Sequence, residues 1–325
     1  MDNRIREFYN DGVRDEAAAC FGVSSAELTE LDGFENFIYE FSQGGQGSIL
    51  RITHTSRRTK EMIDAEMHWI EYLHEKGVNC SLPLKSKQGN LVESVGSAES
   101  GFVACGFEKV TGQRLTKILD TKQFRYNYGR QIGMMHRLTK DYQPCATQRI
   151  QWYEDDLVSG FDAVVPTDHI LVMHKMQQNT QQILAMKPGK DNYGLVHFDV
   201  HPGNFFVHNE DIYMFDFDDS QYAYFAADIA IVLFYFAGGC PKNRSREEFI
   251  REFYQDFMQG YSSQNLLSAE ELAKIPIFLK QRELVLYAAV LQAYRGAEYD
   301  DWANWYMTGR KEKLEQDVPF LDMSF

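Results

Sequence analysis

The sequence predicts a two-lobed α+β protein, with a small antiparallel-sheet lobe over residues 1–110 and a large helical lobe over 111–325. Three observations predict it. The chain has 325 residues, enough for two lobes. Strand-like runs gather between Glu30 and Val110, whereas apolar residues at helical spacing dominate after residue 120. The exception in the second half is 194–220, where two short β-rich runs flank turn residues and follow a polar loop.

Residues 3–22 read as a helix with Ile5, Phe8, Tyr9 and Val13 on one stripe. A strand from Glu30 to Phe41 is interrupted by Gly33-Phe34-Glu35-Asn36, and Ser48 to Thr53 is a second strand. Residues 57–76 form an amphipathic helix that buries Ile63, Met67, Ile70 and Leu73, with Glu66 beside the stripe. Strand-like segments follow at Cys80 to Leu84, Asn90 to Val95 and Gly101 to Val110. Residues 121–138 and 167–186 read as helices separated by an irregular, aromatic stretch. After residue 222 the chain reads as helical over 223–234, 246–262, 268–296 and 298–315. Arg282, Glu283, Tyr287 and Tyr294 are the polar or half-polar exceptions in an apolar run from 276 to 294. Trp302 and Trp305, beside Asp300 and Asp301, read as a packed helix end rather than a cage for a cation.

The 194–220 stretch carries the chemistry. Leu195-Val196 leads into a loop with His197, Asp199, His201 and Asn204, then Phe205 to His208, a turn at Asn209-Glu210, Ile212 to Phe215, and Asp216. A hairpin turning there pairs residues whose numbers sum to about 420, so Asn204 faces roughly Asp216. Opposed residues lie about 4.5–5.5 Å apart at Cα, close enough for an amide oxygen and a carboxylate to share one hard cation. Asp199 sits at the mouth of the same hairpin. A carboxylate to orient or deprotonate a hydroxyl, with two oxygen ligands for Mg²⁺, is what phosphoryl transfer requires. His-x-Asp-x-x-x-x-Asn followed by an Asp is also the spacing of a kinase catalytic loop. Turn capping and zinc binding are the competing readings. Asn204 and the acid-rich Asp216, Asp218, Asp219 favour an oxygen-loving ion over zinc.

The form His197-Phe-Asp199-Val-His201-Pro-Gly-Asn204, with Asp216 twelve residues on, resembles the aminoglycoside phosphotransferase and choline kinase-like families. The resemblance spans residues 30–235 and implies a protein kinase-like fold that uses ATP and Mg²⁺. It makes Asp199 the catalytic carboxylate and Asn204 and Asp216 the metal ligands. Arg51 stands where protein kinases place a Lys on the nucleotide phosphates, and Glu66 would hold it, with Glu61 as second choice. Gly33 to Asn36 matches the Gly-x-x-Asn turn that replaces a glycine-rich loop, which puts Asn36 near the phosphates. The Glu108 carbonyl and Val110 amide would meet adenine. Asp228 would brace the catalytic loop, although its place at a helix start also suits a cap. His136 would be a packed core residue, and Asp218, in place of the Gly of Asp-Phe-Gly, stays unassigned.

The net charge of −14 is uneven. Residues 1–150 carry 19 basic and 20 acidic side chains, a balance of −1, and 151–325 carry 14 and 27, a balance of −13. The acidic half disfavours nucleic acid and favours a cationic acceptor, unless the acidity serves solubility alone. The N-terminus lacks the apolar core of a signal peptide, and no apolar run is long enough to span a membrane. Five scattered cysteines without a Cys-x-x-Cys pair suit reduced thiols in the cytoplasm. The expected activity is transfer of the γ-phosphate of ATP to a hydroxyl of a small molecule. Aminoglycosides, amino alcohols, amino acids and sugars remain open as acceptors. A protein Ser/Thr kinase on this scaffold would need an Ala-Pro-Glu segment and a long activation loop, and neither is present. A non-catalytic nucleotide-binding scaffold is the remaining alternative, and the intact Asp199, Asn204 and Asp216 argue against it.

Overall fold

The computed structural model describes residues 3–33, 35–97, 101–144 and 147–325. Phe34, inside the expected phosphate turn, and Cys145 lie outside the described residues. The expected first helix is two, α1 (Asn3–Phe8) and α2 (Asp11–Cys20). Asn10 separates them and caps α2, its side chain accepting from the Val13 amide at 3.2 Å.

Six antiparallel strands make the small-lobe sheet: β1 (Thr29–Leu31), β2 (Phe37–Gln43), β3 (Gln46–His54), β4 (Pro83–Leu84), β5 (Val92–Val95) and β6 (Phe102–Glu108). Their order is β1-β2-β3-β6, with β4 and β5 sharing the far edge of β6. β3 is therefore central, so Arg51 on it is surrounded by sheet. α3 (Lys60–Glu75) starts at Thr59, which accepts from the Met62 amide, and stops at Gly77 with φ +89°. Its expected stripe of Ile63, Met67, Ile70 and Leu73 is fully buried.

The two faces of the sheet are covered differently. Tyr39, Phe41, Leu50, Ile52 and Phe102 pack against Val13, Ala17 and Phe21 of the α2 region as a closed cluster. On the other face Val92, Val103, Cys105 and Phe107 join the stripe of α3. That second cluster continues without a break into the large lobe, through Trp69 against Phe217 at 5.5 Å. The lobes thus share one core on the side that faces the cleft.

The large lobe begins with α4 (Lys122–Thr139) and has two short helices, α5 (Asp156–Ser159) and α6 (Phe161–Val164), in the stretch expected to be irregular. α7 (Ile170–Leu184) precedes two small ribbons. β7 (Tyr193–Val196) pairs with β10 (Gln221–Tyr224), and β8 (Phe205–His208) with β9 (Asp211–Met214). α8 (Phe225–Gly238) follows directly. Ala223 and Tyr224, expected in that helix, belong to β10, because pairing with Gly194 and Tyr193 satisfies their backbone first. α9 (Arg246–Ser262) matches expectation. The expected 268–296 helix breaks into α10 (Ala269–Leu272) and α11 (Ile275–Ala293), with Pro276 in the first turn of α11. α12 (Asp301–Met307) and α13 (Arg310–Glu315) close the chain.

α4 and α9 cross with their backbones touching. A Cβ on Gly129 would lie 1.8 Å from the Phe257 carbonyl oxygen, and one on Gly260 the same distance from that of Tyr126. Only glycine permits this approach. It brings Tyr261 onto His136 of α4, and so holds the platform beneath the polar loop. No helix among the described residues is long and apolar enough to cross a membrane.

Candidate active site

The polar loop at 197–204 departs from regular structure at Phe198, whose φ is +64°. A non-glycine residue in that region costs on the order of 1–3 kcal/mol unless its surroundings fix it. Asp228, fully buried on α8, does so. Its carboxylate accepts from the Phe198 amide at 2.8 Å and the His197 amide at 3.3 Å. His136 Nε2 lies 3.1 Å from the same carboxylate, and its other ring nitrogen meets the Tyr261 hydroxyl at 2.9 Å. Asp228 is thus spent on the loop and does not cap α8, whose start has no side-chain cap. From below, the Tyr128 hydroxyl donates to the Val200 carbonyl. His197 Nε2 donates to the Phe215 carbonyl at 3.2 Å, which ties the loop to the residue before Asp216.

Asp199 emerges from this frame with both oxygens engaged. Oδ1 accepts from Arg282 Nη2 at 2.5 Å. Oδ2 accepts from Asn204 Nδ2 at 2.8 Å and lies 3.3 Å from His201 Nε2. His201 Nδ1 already accepts from the Gly203 amide, so the ring proton sits on Nε2 and points at the carboxylate. Burial alone would push the Asp199 carboxyl up, but Arg282, then His201 and His197, hold it well below the usual carboxylate range. Arg282 comes from α11, where the sequence showed it only as a polar exception. Its guanidinium lies over the Tyr235 ring at 5.0 Å and donates to the Tyr235 hydroxyl. His201 stacks on that ring, with centroids 4.5 Å apart. Burial pushes the Tyr235 phenol up to about 12, so it keeps its proton.

The expected hairpin is present as β8–β9. Asn209 and Glu210 have φ +50° and +65°, the left-handed pair that a two-residue type I′ turn demands. Its register sums to 419 rather than 420, so the Asn204 carbonyl meets the Phe215 amide at 3.0 Å and Asp216 lies one residue further. Asn204 donates both to the Asp199 backbone and to its carboxylate, which leaves the amide oxygen free of partners among the described residues. Asp216 adopts φ +62° and stands at the cleft with half its side chain meeting solvent. The cleft walls remove enough water to push its carboxyl up to about 6, aided by Asp219 and Asp199 and opposed by Arg51. An uncommitted amide oxygen and a carboxylate raised by burial and, less, by neighbouring acids form a hard donor set suited to a divalent cation.

Arg51 and Glu66 form a buried two-pronged pair, Nη1 to Oε1 at 2.9 Å and Nη2 to Oε2 at 2.8 Å. Arg51 Nη1 also lies 4.0 Å from Asp216 Oδ1, and the guanidinium sits 5.2 Å over the Phe107 ring. Its Nε–H is buried without a partner. The structure therefore brings Asp199, Asn204, Asp216, Arg51 and Glu66 into one cleft. Glu61, the second choice, stands exposed in the first turn of α3.

Asn36, expected near the phosphates, is bonded within the protein. Its side chain accepts from Thr53 Oγ1 at 2.9 Å and donates to Asp218 Oδ2 at 3.2 Å, so both ends of the amide are taken. Asp218 does not face solvent. It is buried against Arg57 and Arg58, while Arg149 donates to its carbonyl. Arg58 Nη2 also reaches Asp219 at 3.1 Å, and Arg57 pairs with Glu35. Arg149 donates to the Ser220 and Met62 carbonyls as well, and burial draws its guanidinium down to about 10. Glu35, Asp218 and Asp219 sit close enough to hold an ion, but Arg57 fills that role by pairing with all three. At the expected adenine edge the Glu108 carbonyl accepts from Ser81 Oγ at 2.6 Å. The Val110 amide has no backbone acceptor among the described residues.

Residues 27–272 match the sequence model of the phosphotransferase enzyme family. The chain is 32% identical over 323 residues to the amicoumacin kinase of Bacillus subtilis (strain 168), covering 98% of this chain and 96% of that protein. It superposes with a TM-score of 0.93 on the amicoumacin kinase hAmiN in complex with AMP-PNP, Ca²⁺ and Ami, at 31% identity over 100% of this chain and 98% of that one. A microcompartment-associated aminopropanol kinase shares the fold, with a TM-score of 0.74 at 21% identity over 95% of this chain and 98% of that one.

Proposed function

The chain belongs to the phosphotransferase enzyme family and is a kinase of small molecules, and on that premise we propose that it phosphorylates a hydroxyl of an amicoumacin-like acceptor with ATP. The observation that carries this reading is Asp199, held ionised and oriented beside a hard donor set at the mouth of one hairpin. End-to-end similarity to two amicoumacin kinases supports the acceptor class.

The residues present fit a divalent cation, Mg²⁺ in the cell, through Asn204 Oδ1 and the Asp216 carboxylate. When bound, such an ion neutralises charge on the β- and γ-phosphates. Arg51, locked by Glu66, presents a fixed cation to the α- and β-phosphates. The Val110 amide is offered to adenine, and the Glu108 carbonyl retains one lone pair beside its bond to Ser81. Asn36 acts indirectly, by fixing Asp218 beneath the cleft. Asp199 Oδ1 carries one donor in this structure, so a second lone pair is open to the acceptor hydroxyl. As the hydroxyl oxygen bonds to the γ-phosphorus, the bond to the bridging oxygen breaks and its electron pair leaves with ADP. Asp199 takes the proton.

Purified protein is given γ-labelled ATP, Mg²⁺ and, in separate reactions, amicoumacin, aminopropanol, choline, homoserine, an aminoglycoside and casein. Label should enter amicoumacin with the highest kcat/KM, and Asp199→Asn should slow transfer by about 100-fold or more while nucleotide still raises Tm. Label confined to casein would give the protein-kinase reading instead. A tenfold preference for another hydroxyl compound would overturn the acceptor class.

A further inference from the structure

The large lobe carries a balance of −13 over residues 151–325, yet one concave pocket on it is cationic. The pocket has a volume of about 200 Å³ and lies between the start of α9 and the C-terminal helices. Arg246, Arg310 and Lys313 line it with Glu283, and Trp305 and Phe320 supply aromatic walls.

The charges around it do not close. Glu283 is buried and already serves two cations, Arg310 Nη1 at 2.5 Å and Lys280 at 3.1 Å. Arg246 has no carboxylate within ion-pair distance among the described residues, and neither has Lys313. Glu247, next to Arg246 on α9, accepts instead from Ser245 Oγ. Among the described residues Arg246 makes one hydrogen bond, from Nη1 to the Phe320 carbonyl at 3.3 Å. Its guanidinium lies 4.3 Å over the Phe320 ring, with that of Arg310 5.9 Å from the same ring. Burial pulls the Arg246 pKa down and Arg310 adds to the effect, which Glu247, Cys240 and Glu283 only partly offset. A half-buried guanidinium with spare donors and a second cation nearby favours an anion. The 59% exposed Trp305 gives such an anion a flat apolar surface.

We propose that this pocket binds a small anionic molecule, a phosphate or carboxylate carried on a flat ring, with Arg246 and Lys313 on the anion and Trp305 on the ring. The site is separate from the nucleotide cleft and does not rest on the proposed acceptor. It has a route to the chemistry: Glu283 in the pocket and Arg282 on Asp199 are consecutive residues of α11.

The test uses the full chain saturated with Mg-AMP-PNP, so that the nucleotide phosphate positions are filled. Calorimetry with phenyl phosphate, benzoate, inorganic phosphate and neutral benzyl alcohol reads the anion and the ring separately. Phenyl phosphate or benzoate should bind at least tenfold more tightly than either inorganic phosphate or benzyl alcohol. Arg246→Gln and the exposed-site variant Lys313→Gln should each weaken that binding tenfold or more, and Trp305→Ala should remove the advantage of the ring. Binding at the same strength in Lys313→Gln and Arg246→Gln would overturn the proposal, as would no binding of either aromatic anion. Equal affinity for inorganic phosphate and phenyl phosphate would overturn the ring-bearing class.

Discussion

Asp199 and Asp216 border the same cleft and are built to opposite specifications. Asp199 has three side-chain donors on it and is held well below the usual carboxylate range. Asp216 has a single cation at 4.0 Å, meets solvent over half its side chain, and is pushed up to about 6. The first is oriented before any ligand arrives. The second is under-neutralised until a cation joins it. The difference teaches that one carboxylate of the cleft is preorganised by its protein partners and the other is left under-neutralised by them, as the proposed roles of proton acceptor and cation ligand would require.

The sharpest way to separate them is substitution by the isosteric amide. Asp199→Asn should lower kcat by about 10²–10⁴-fold with nucleotide affinity unchanged, since the amide cannot take the proton and no longer pairs with Arg282. Asp216→Asn should show the reverse emphasis, weakening Mg-AMP-PNP binding in calorimetry by about 100-fold or more. If both variants lose nucleotide binding alike, the two carboxylates are one metal site and the contrast fails. A smaller effect probes the preorganisation. Arg282→Met should reduce kcat roughly tenfold without altering nucleotide Kd, and Arg282→Lys should restore part of it by keeping the charge. An unchanged kcat in Arg282→Met would mean that Asn204 and His201 suffice to aim Asp199.

pH separates the pair most gently. Asp216 is raised above its unfolded value, so its ionised form is disfavoured in the free protein, and a bound cation must displace a proton below about pH 6. Affinity for Mg-AMP-PNP should therefore fall by about tenfold per unit below pH 6. For folding, Asp216 destabilises the free protein as pH rises from the usual carboxylate range through about 6. Asp199, being depressed, contributes stability above that usual range and loses it only as the solution becomes strongly acidic. Calorimetric titration of the nucleotide between pH 5 and 7.5 decides the first point, and urea midpoints of free protein, followed from about pH 7.5 down to about pH 2, decide the second.

What the sequence made legible was local. Asp199, Asn204 and Asp216 fall within eighteen residues on a loop and a hairpin, where a two-residue turn sets the register. Arg51 and Glu66 were placed by the family resemblance, Arg51 within the run Ile49 to Ile52 and Glu66 beside the apolar stripe of α3. Arg282 was visible as a cation inside the apolar run of α11. Its target was not, because 83 residues of chain and the packing of α11 against α8 intervene. Asn36 was placed from a four-residue resemblance, and long-range bonding to Asp218 decides its orientation instead. Arg149 could not be foreseen: its partners are backbone carbonyls, which no side-chain pattern announces. The break at Lys274 was signalled by Pro276, which belongs in a first turn rather than a helix interior.

The β8–β9 hairpin is stitched into the rest of the molecule at two places. The Ser81 amide donates to the Met214 carbonyl and the Met214 amide to that of Asn79, while Gln113 and Val207 exchange amide bonds across the chain that leaves β6. A motion of the upper sheet against the helical base that kept these bonds would turn about this ribbon as an axle. Asn204 and Asp216 sit at its foot, near the pivot, where displacement is smallest. Opening of the cleft about that axis would leave the spacing of Asn204 and Asp216 unchanged.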